Sequence, residues 1–239
     1  MSEPLQRWTV LPHGELTAVG DRVLTVVGTL EMPVVEVPRR MTVLRLDDGG
    51  LVIYSAMALD EDGMRTLERF GRPAFLVVPS DHHRLDAKIW KDRYPALRVT
   101  TPPGARDKVE DTVPVDSTAP DFGDAGVTFV TVPGTQGHES ALVVRGEDGT
   151  TLVLNDIIAN VQGEHGFGGW LLRMMGFAGD TPQVPKTAEL ALVKDKAALR
   201  AQLLAWADDP ALKHVLVSHG AAIEDQPGAA LRAAAERLA

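Results

Sequence analysis

The chain contains no cysteine. That excludes disulfides, zinc–thiolate sites, iron–sulfur clusters and a thiol nucleophile together, and it suits a reducing compartment. An excess of basic charge is also missing: 24 lysines and arginines face 33 acids, a net charge of −9. Such a balance repels phosphate backbones and anionic lipid, so neither nucleic acid nor a membrane surface is the expected partner. No apolar run reaches the roughly 18 residues a membrane span needs. Met1-Ser2-Glu3-Pro4 carries no basic run and leads into no apolar core of a signal peptide. A cytoplasmic protein of bacterial type is the expectation. What is present is ordinary for a globular chain: 239 residues, 44% hydrophobic and 24% charged, long for an average domain yet within reach of one layered α/β unit spanning residues 1–239.

Two stretches of similar order follow one another. Met41–Leu46 and Leu51–Ser55 read as a hairpin across Asp47-Asp48-Gly49-Gly50, after a strand at Arg22–Gly28. Asp60 caps a helix with Met64, Leu67 and Phe70 on one face and Gly71 as its stop. The wholly apolar Phe75–Val78 then reads as a strand buried on both sides. In the second stretch Val127–Val132 is a strand, Ala141–Arg145 and Thr151–Asn155 pair across Gly146–Thr150, and Asp195 starts a helix bearing Leu199, Leu203 and Trp206. His214–Val217 is a second buried strand, and Pro227 opens a closing helix. Each stretch thus ends in a buried strand followed by polar residues, VVPSDHH and VLVSHG. The pattern predicts two sheets between helices, with the Leu46–Ser55 and Val144–Asn155 hairpins in different sheets and the polar strand ends at one edge.

That edge gathers the chemistry. His82 and His83 follow one buried strand, His138 and His219 follow two others, and Asp156 ends a fourth. Ligands in α/β sheets collect at the ends of strands, and imidazole with carboxylate is the donor set for zinc, iron or manganese where thiols are lacking. His83 and Asp86 are three residues apart, which on a helix start places both on one face. There Asp86 would orient His83 or serve as a base, and this tie favours His83 over His82 as a ligand. Segment 160–185 breaks the pattern with glycines beside Trp170, Leu171, Met174, Met175 and Phe177. It reads as a mobile wall over the pocket, selecting an apolar or amphipathic ligand, with a short buried helix or a homodimer contact as alternatives.

The order of elements and the markers PSDHH, GTQGHES, LNDII and VSHG resemble the metallo-β-lactamase superfamily, in a divergent bacterial and plant branch known as a domain of unknown function. The resemblance covers most of the chain after residue 40. It implies a four-layer αββα sandwich with its site at the shared edge of two sheets. Active members carry a His-x-His-x-Asp-His motif; here Ser80–Leu85 reads Ser-Asp-His-His-Arg-Leu, keeping one histidine of the three and displacing Asp86 from the usual carboxylate position. The usual Pro-Gly-His becomes Pro133-Gly134-Thr135, with His138 three residues on. Asp156 matches the bridging aspartate, and His219-Gly220 matches the final histidine. The resemblance therefore implies one divalent metal (zinc or iron) or none, held by His83, His138, Asp156 and His219, with Asp86 and Glu139 as the candidate catalytic residues, Glu139 being a marker of the branch. The activity implied is hydrolysis of a small ester, thioester or lactone. A metal-free ligand-binding protein and a non-haem iron oxidoreductase are the alternatives on the same fold.

Overall fold

The computed structural model describes residues 3–32, 35–161, 173, 174, 176, 178, 179 and 181–238. The first sheet has six strands in sequence order: β1 (Thr17–Val19), β2 (Val23–Met32), β3 (Val35–Arg45), β4 (Gly50–Tyr54), β5 (Arg72–Val77) and β6 (Arg98–Thr100). The first four run antiparallel, and β4, β5 and β6 are parallel. The crossovers are α1 (Glu61–Phe70) and α2 (Ala87–Arg93), followed by a single 3-10 turn at Pro103–Ala105 and α3 (Arg106–Glu110). The second sheet runs β10-β9-β8-β7, from β7 (Val127–Thr131), β8 (Ser140–Gly146), β9 (Gly149–Asn160) and β10 (Leu212–Gly220). Its β10 is parallel to β9, and α4 (Lys186–Ala191), α5 (Lys196–Ala207) and α6 (Pro227–Glu236) complete the chain order.

Alternation along the strands divides the apolar residues among three interfaces. In β4, Leu51 and Ile53 join Met64, Leu67 and Trp90 under the helices of the first sheet, while Val52 and Tyr54 face the other way. In β9, Leu152 and Leu154 join Leu199, Leu203 and Trp206 under the helices of the second sheet, while Val153 faces inward. Between the sheets Val52, Tyr54, Phe75, Val77, Leu142, Val144, Val153 and Leu216 form the middle core. A period of two with apolar residues on both faces, as in β4 and β9, is what a sheet covered on both sides requires. The architecture is the αββα sandwich expected from the sequence, and the two hairpins lie in different sheets.

Local signals set the ends of the elements. The Asp60 carboxylate accepts from the Gly63 amide at 2.8 Å, and Asp195 accepts from Ala198 at 3.0 Å, so both helices begin where the sequence places their caps. Gly49, at φ 78°, closes the β3–β4 turn as the Asp-Asp-Gly-Gly pattern requires. Strand β2 extends to Met32, beyond the Gly28 limit read from the sequence, because β3 pairs with it along its whole length. The helix expected to begin at His83 starts only at Ala87; His83 lies in the loop before it.

Of segment 160–185, residues 162–172, 175, 177 and 180 lie outside the described residues, and with them Trp170, Leu171, Met175, Phe177 and the mobile-wall reading. Met174 is exposed. The returning chain pairs with the end of β9: the Ala159 amide donates to the Gln183 carbonyl at 2.9 Å, and Gln183 donates back at 3.1 Å.

Candidate metal centre

A break in register aims the central carboxylate. Val217 of β10 pairs with Leu154 of β9, but His219 pairs with Ala159, so Asn155–Ile158 bulge out opposite Ser218. Bulges beside active sites re-aim side chains in this way. Here the bulge lifts Asp156 out of the ladder at the edge where β4 and β5 also end. His83 arrives there from the loop after β5, and His219 from β10.

The three side chains meet at one oxygen. Nε2 of His83 stands 3.2 Å and Nε2 of His219 3.0 Å from Oδ1 of Asp156, with the imidazole centroids 5.4 Å apart. His83, Asp156 and His219 are the one group among the described residues whose ligand atoms all lie within 4.8 Å of one another. Each side chain is oriented from behind. Nδ1 of His219 is 2.7 Å from the Pro38 carbonyl oxygen, an acceptor only, so Nδ1 carries a hydrogen and Nε2 is the atom left to face Asp156. Nδ1 of His83 is 2.8 Å from Oγ of Ser55, a residue held at φ 56°, where a non-glycine residue is strained.

Behind Asp156 lies a buried polar network. Nδ2 of Asn155 donates to Oγ of Ser80 at 3.2 Å and to both Glu139 oxygens at 3.2 and 3.1 Å. Oδ1 of Asn155 accepts from Ser218 at 2.8 Å, and the Asp156 amide donates to Glu139 at 3.3 Å. Glu139 is fully buried. Burial and then the nearby Asp156 charge push its carboxyl well above the ordinary range, which favours the protonated acid. Burial also pushes the Asp156 carboxyl up, but the charge of His83 and the hydrogen bond from His219 outweigh it and hold it well below its usual value. For His219, burial lowers the pKa while Asp156 and then the Pro38 carbonyl raise it; the net direction is up.

This donor set fits a divalent cation. A neutral His219 with its hydrogen on Nδ1 turns an Nε2 lone pair toward a carboxylate oxygen, an arrangement that needs either a second proton or a cation between them. Tetrahedral ligands bound at about 2.0–2.1 Å lie about 3.3 Å from one another, close to the separations across Asp156. Backbone and hydroxyl partners on the far ring nitrogens are the outer contacts that metal-binding histidines use.

Three residues named from the sequence are placed elsewhere. Asp86 does not orient His83: its Oδ2 is 2.5 Å from Nη1 of Arg39, and its Oδ1 accepts from the Ala58 amide at 2.8 Å, so the expected His83–Asp86 face does not form. His138 is outside the group of three; it stands near enough to Asp81 to lower that carboxyl's pKa. Glu139 touches the Asp156 backbone amide and not the cluster of ligand atoms. His82 points to Asp81, with Nδ1 2.6 Å from Oδ1, and that close contact raises the imidazole pKa. Sequence reading passed over Ser55, Asn155 and the Pro38 carbonyl. Ser55 and Asn155 carried one usable signal, a polar residue ending a run of apolar strand residues.

No protein-family model matches the chain, and no curated protein matches it. Solved structures do. The metallo-β-lactamase FIM-1 from Pseudomonas aeruginosa, in a mono-zinc form, is 13% identical with a TM-score of 0.62, over 95% of this chain and 96% of that one. A metallo-β-lactamase from Erythrobacter litoralis, with β-mercaptoethanol in its active site, is 13% identical with a TM-score of 0.64, over 93% and 96%. One from Hirschia baltica is 10% identical with a TM-score of 0.62, over 94% and 98%.

Proposed function

Because the chain has the metallo-β-lactamase fold, we propose that it is a mononuclear metal-dependent hydrolase of a small ester, thioester or lactone. The observation that carries this reading is the meeting of His83 and His219 at one oxygen of Asp156, each imidazole fixed from behind. Three protein ligands leave a position open for substrate or water, the pattern of catalytic rather than structural zinc. A divalent cation held there supplies Lewis acidity, polarising a carbonyl oxygen and bringing the pKa of a water toward about 7.

The chain's own groups do the rest. Ser55 and the Pro38 carbonyl hold the two rings, and Asn155 and Glu139 hold the strand segment that carries Asp156. His82 is the candidate proton carrier. It adjoins His83 in the chain, is half-exposed, and stands close enough to Asp156 to feel its charge, which makes it the side chain proposed to exchange protons with solvent there.

Metal analysis of untagged protein, with a panel of ester, thioester and lactone substrates, tests the proposal. One zinc or iron per chain, lost on chelation together with hydrolysis, is the expected result. Less than about 0.2 metal per chain after supplemented growth would overturn it. That result would favour the metal-free alternative, in which a protonated His219 bonds Asp156 directly at the observed 3.0 Å. One iron per chain without hydrolysis would favour the oxidoreductase reading.

A further inference from the structure

The buried charge closest in sequence to Pro38 is not used by this chemistry. Arg40 of β3 is buried, yet no carboxylate lies within ion-pair distance of it among the described residues. Its three donor nitrogens each take a different acceptor: Nε the Val217 carbonyl at 3.0 Å, Nη2 the Gly220 carbonyl at 2.8 Å, and Nη1 the Thr25 hydroxyl at 3.0 Å. Thr25 is itself fixed, donating to the Met41 carbonyl at 3.2 Å. Val217 and Gly220 flank the Ser218-His219 pair on β10, which is an edge strand. One guanidinium therefore holds the backbone on both sides of His219, across the gap between the two sheets. Two residues before Arg40 on the same strand, the Pro38 carbonyl accepts from Nδ1 of His219.

Packing alone does not call for this group. Burial lowers the Arg40 pKa, only partly offset by the charge of Glu224, and a buried cation with no acid in contact costs free energy that an aliphatic residue of similar size avoids. A lysine cannot reach three divergent acceptors from one point charge, whereas the planar fork does. The end of β10 is also tightly constrained on its other side: Gly220 has φ 104°, and a Cβ there would meet the Asn160 carbonyl oxygen at 2.0 Å. With β9 on one side and Arg40 on the other, the distance from Pro38 to His219 is set from both edges.

We propose that Arg40 is a positioning residue for the metal centre: by clasping the carbonyls of Val217 and Gly220 it holds His219 with its hydrogen on Nδ1 and its Nε2 directed at Asp156. This inference rests on the metal-site reading for its consequence and on the clasp for its geometry, and the test separates the two. Zinc affinity is measured by chelator competition for the wild type, Arg40→Lys, Arg40→Met and the control Arg22→Met. The Nδ1–H of His219 bonded to the Pro38 carbonyl is read from its exchange-protected proton resonance in the metal-free full chain, a signal present whether or not Nε2 also carries a proton. We expect both Arg40 variants to fold, to bind zinc about 10–100-fold more weakly, and to lose the protected Nδ1–H signal of His219, while Arg22→Met keeps wild-type affinity and signal. Unchanged affinity and Nδ1–H signal in folded Arg40 variants would overturn the inference. So would failure of both to fold while Arg22→Met folds, since Arg40 would then be a core strut. If the wild type binds no zinc, the proposed function fails, and the Nδ1–H signal of His219 alone decides: its loss supports the clasp and its retention overturns it.

Discussion

The sandwich is tied across its sheets by an arginine at each end, and the two ties differ in what neutralises the charge. At the hairpin end Arg22 donates to the carbonyls of Arg45 and Arg145 and pairs with the buried Asp124, with Asp47 at 3.4 Å. Asp124 also accepts from the Asp47 and Gly126 amides at 2.8 Å, so every group there is matched to a neighbour and nothing faces a ligand. At the other end Arg40 donates only to neutral oxygens, with the charge of Glu224 acting on it at longer range, while the Asp156 carboxylate is met by two imidazoles. A closed ion pair is a fastening. A clasp made of carbonyls leaves the anionic charge of the site available to something cationic.

The contrast can be broken by removing one partner at each end. The largest expected effect is Asp156→Asn, which removes the negative charge on which both histidines converge. Metal affinity should fall by at least about 100-fold, more than the loss of an outer contact causes, as read by chelator competition. Thermal stability of the metal-free protein should fall as well, because the carboxylate that His83 and His219 hold below its usual pKa contributes stability to the fold. Next comes Arg22→Met, which strands Asp124. It should cost about 3 kcal/mol in denaturant unfolding and leave zinc stoichiometry untouched. If zinc binding fell with it, the two ends would not be independent.

Acid sharpens the same comparison. Burial raises the Asp124 carboxyl, but the Asp47 amide, Arg22 and the Gly126 amide together bring it below its ordinary value. A carboxyl depressed in the folded state contributes stability above its unfolded pKa of about 3.9 and loses it as pH falls through the lower folded value. Stability should therefore drop below about pH 4, and Asp124→Asn should flatten that part of the profile. The smallest effect is expected at a feature belonging to neither end. Asp60→Ala, at the N-cap of α1, should cost about 1 kcal/mol with metal binding unchanged.

The halves of this picture differ in how far a sequence can announce them. Asp60, Asp195, Gly49 and Gly71 act within a few residues of where they stand, so turns and helix starts were legible one at a time. The strand ends were legible too, since apolar runs ending in Ser55, Pro79-Ser80 and Ser218-His219 mark where a sheet stops. Partners across the sheets were not. The tie from His83 to Asp86 was inferred from their spacing, but the spacing held only if a helix began at His83; a loop stands there, and Asp86 instead pairs with Arg39, 47 residues away. The preference for His83 over His82 rested on that same failed tie, although it is His83 that meets Asp156. The β9 bulge was not legible, because the strand reads from the sequence as ending at Asn155 with Asp156 after it, whereas β9 resumes its pairing at Ala159.

That bulge has a consequence for where the site's carboxylate stands. A sheet is a ruler graduated at about 3.3 Å per residue, and a ligand seated in regular register can move only by whole graduations, which would also turn it to the opposite face. Asn155–Ile158 stand outside that graduation, four residues opposite one. The Asp156 oxygen is thereby set at a position between graduations, with Leu154 and Ala159 keeping their pairing on either side and Asn155 and Glu139 holding the displaced segment in place.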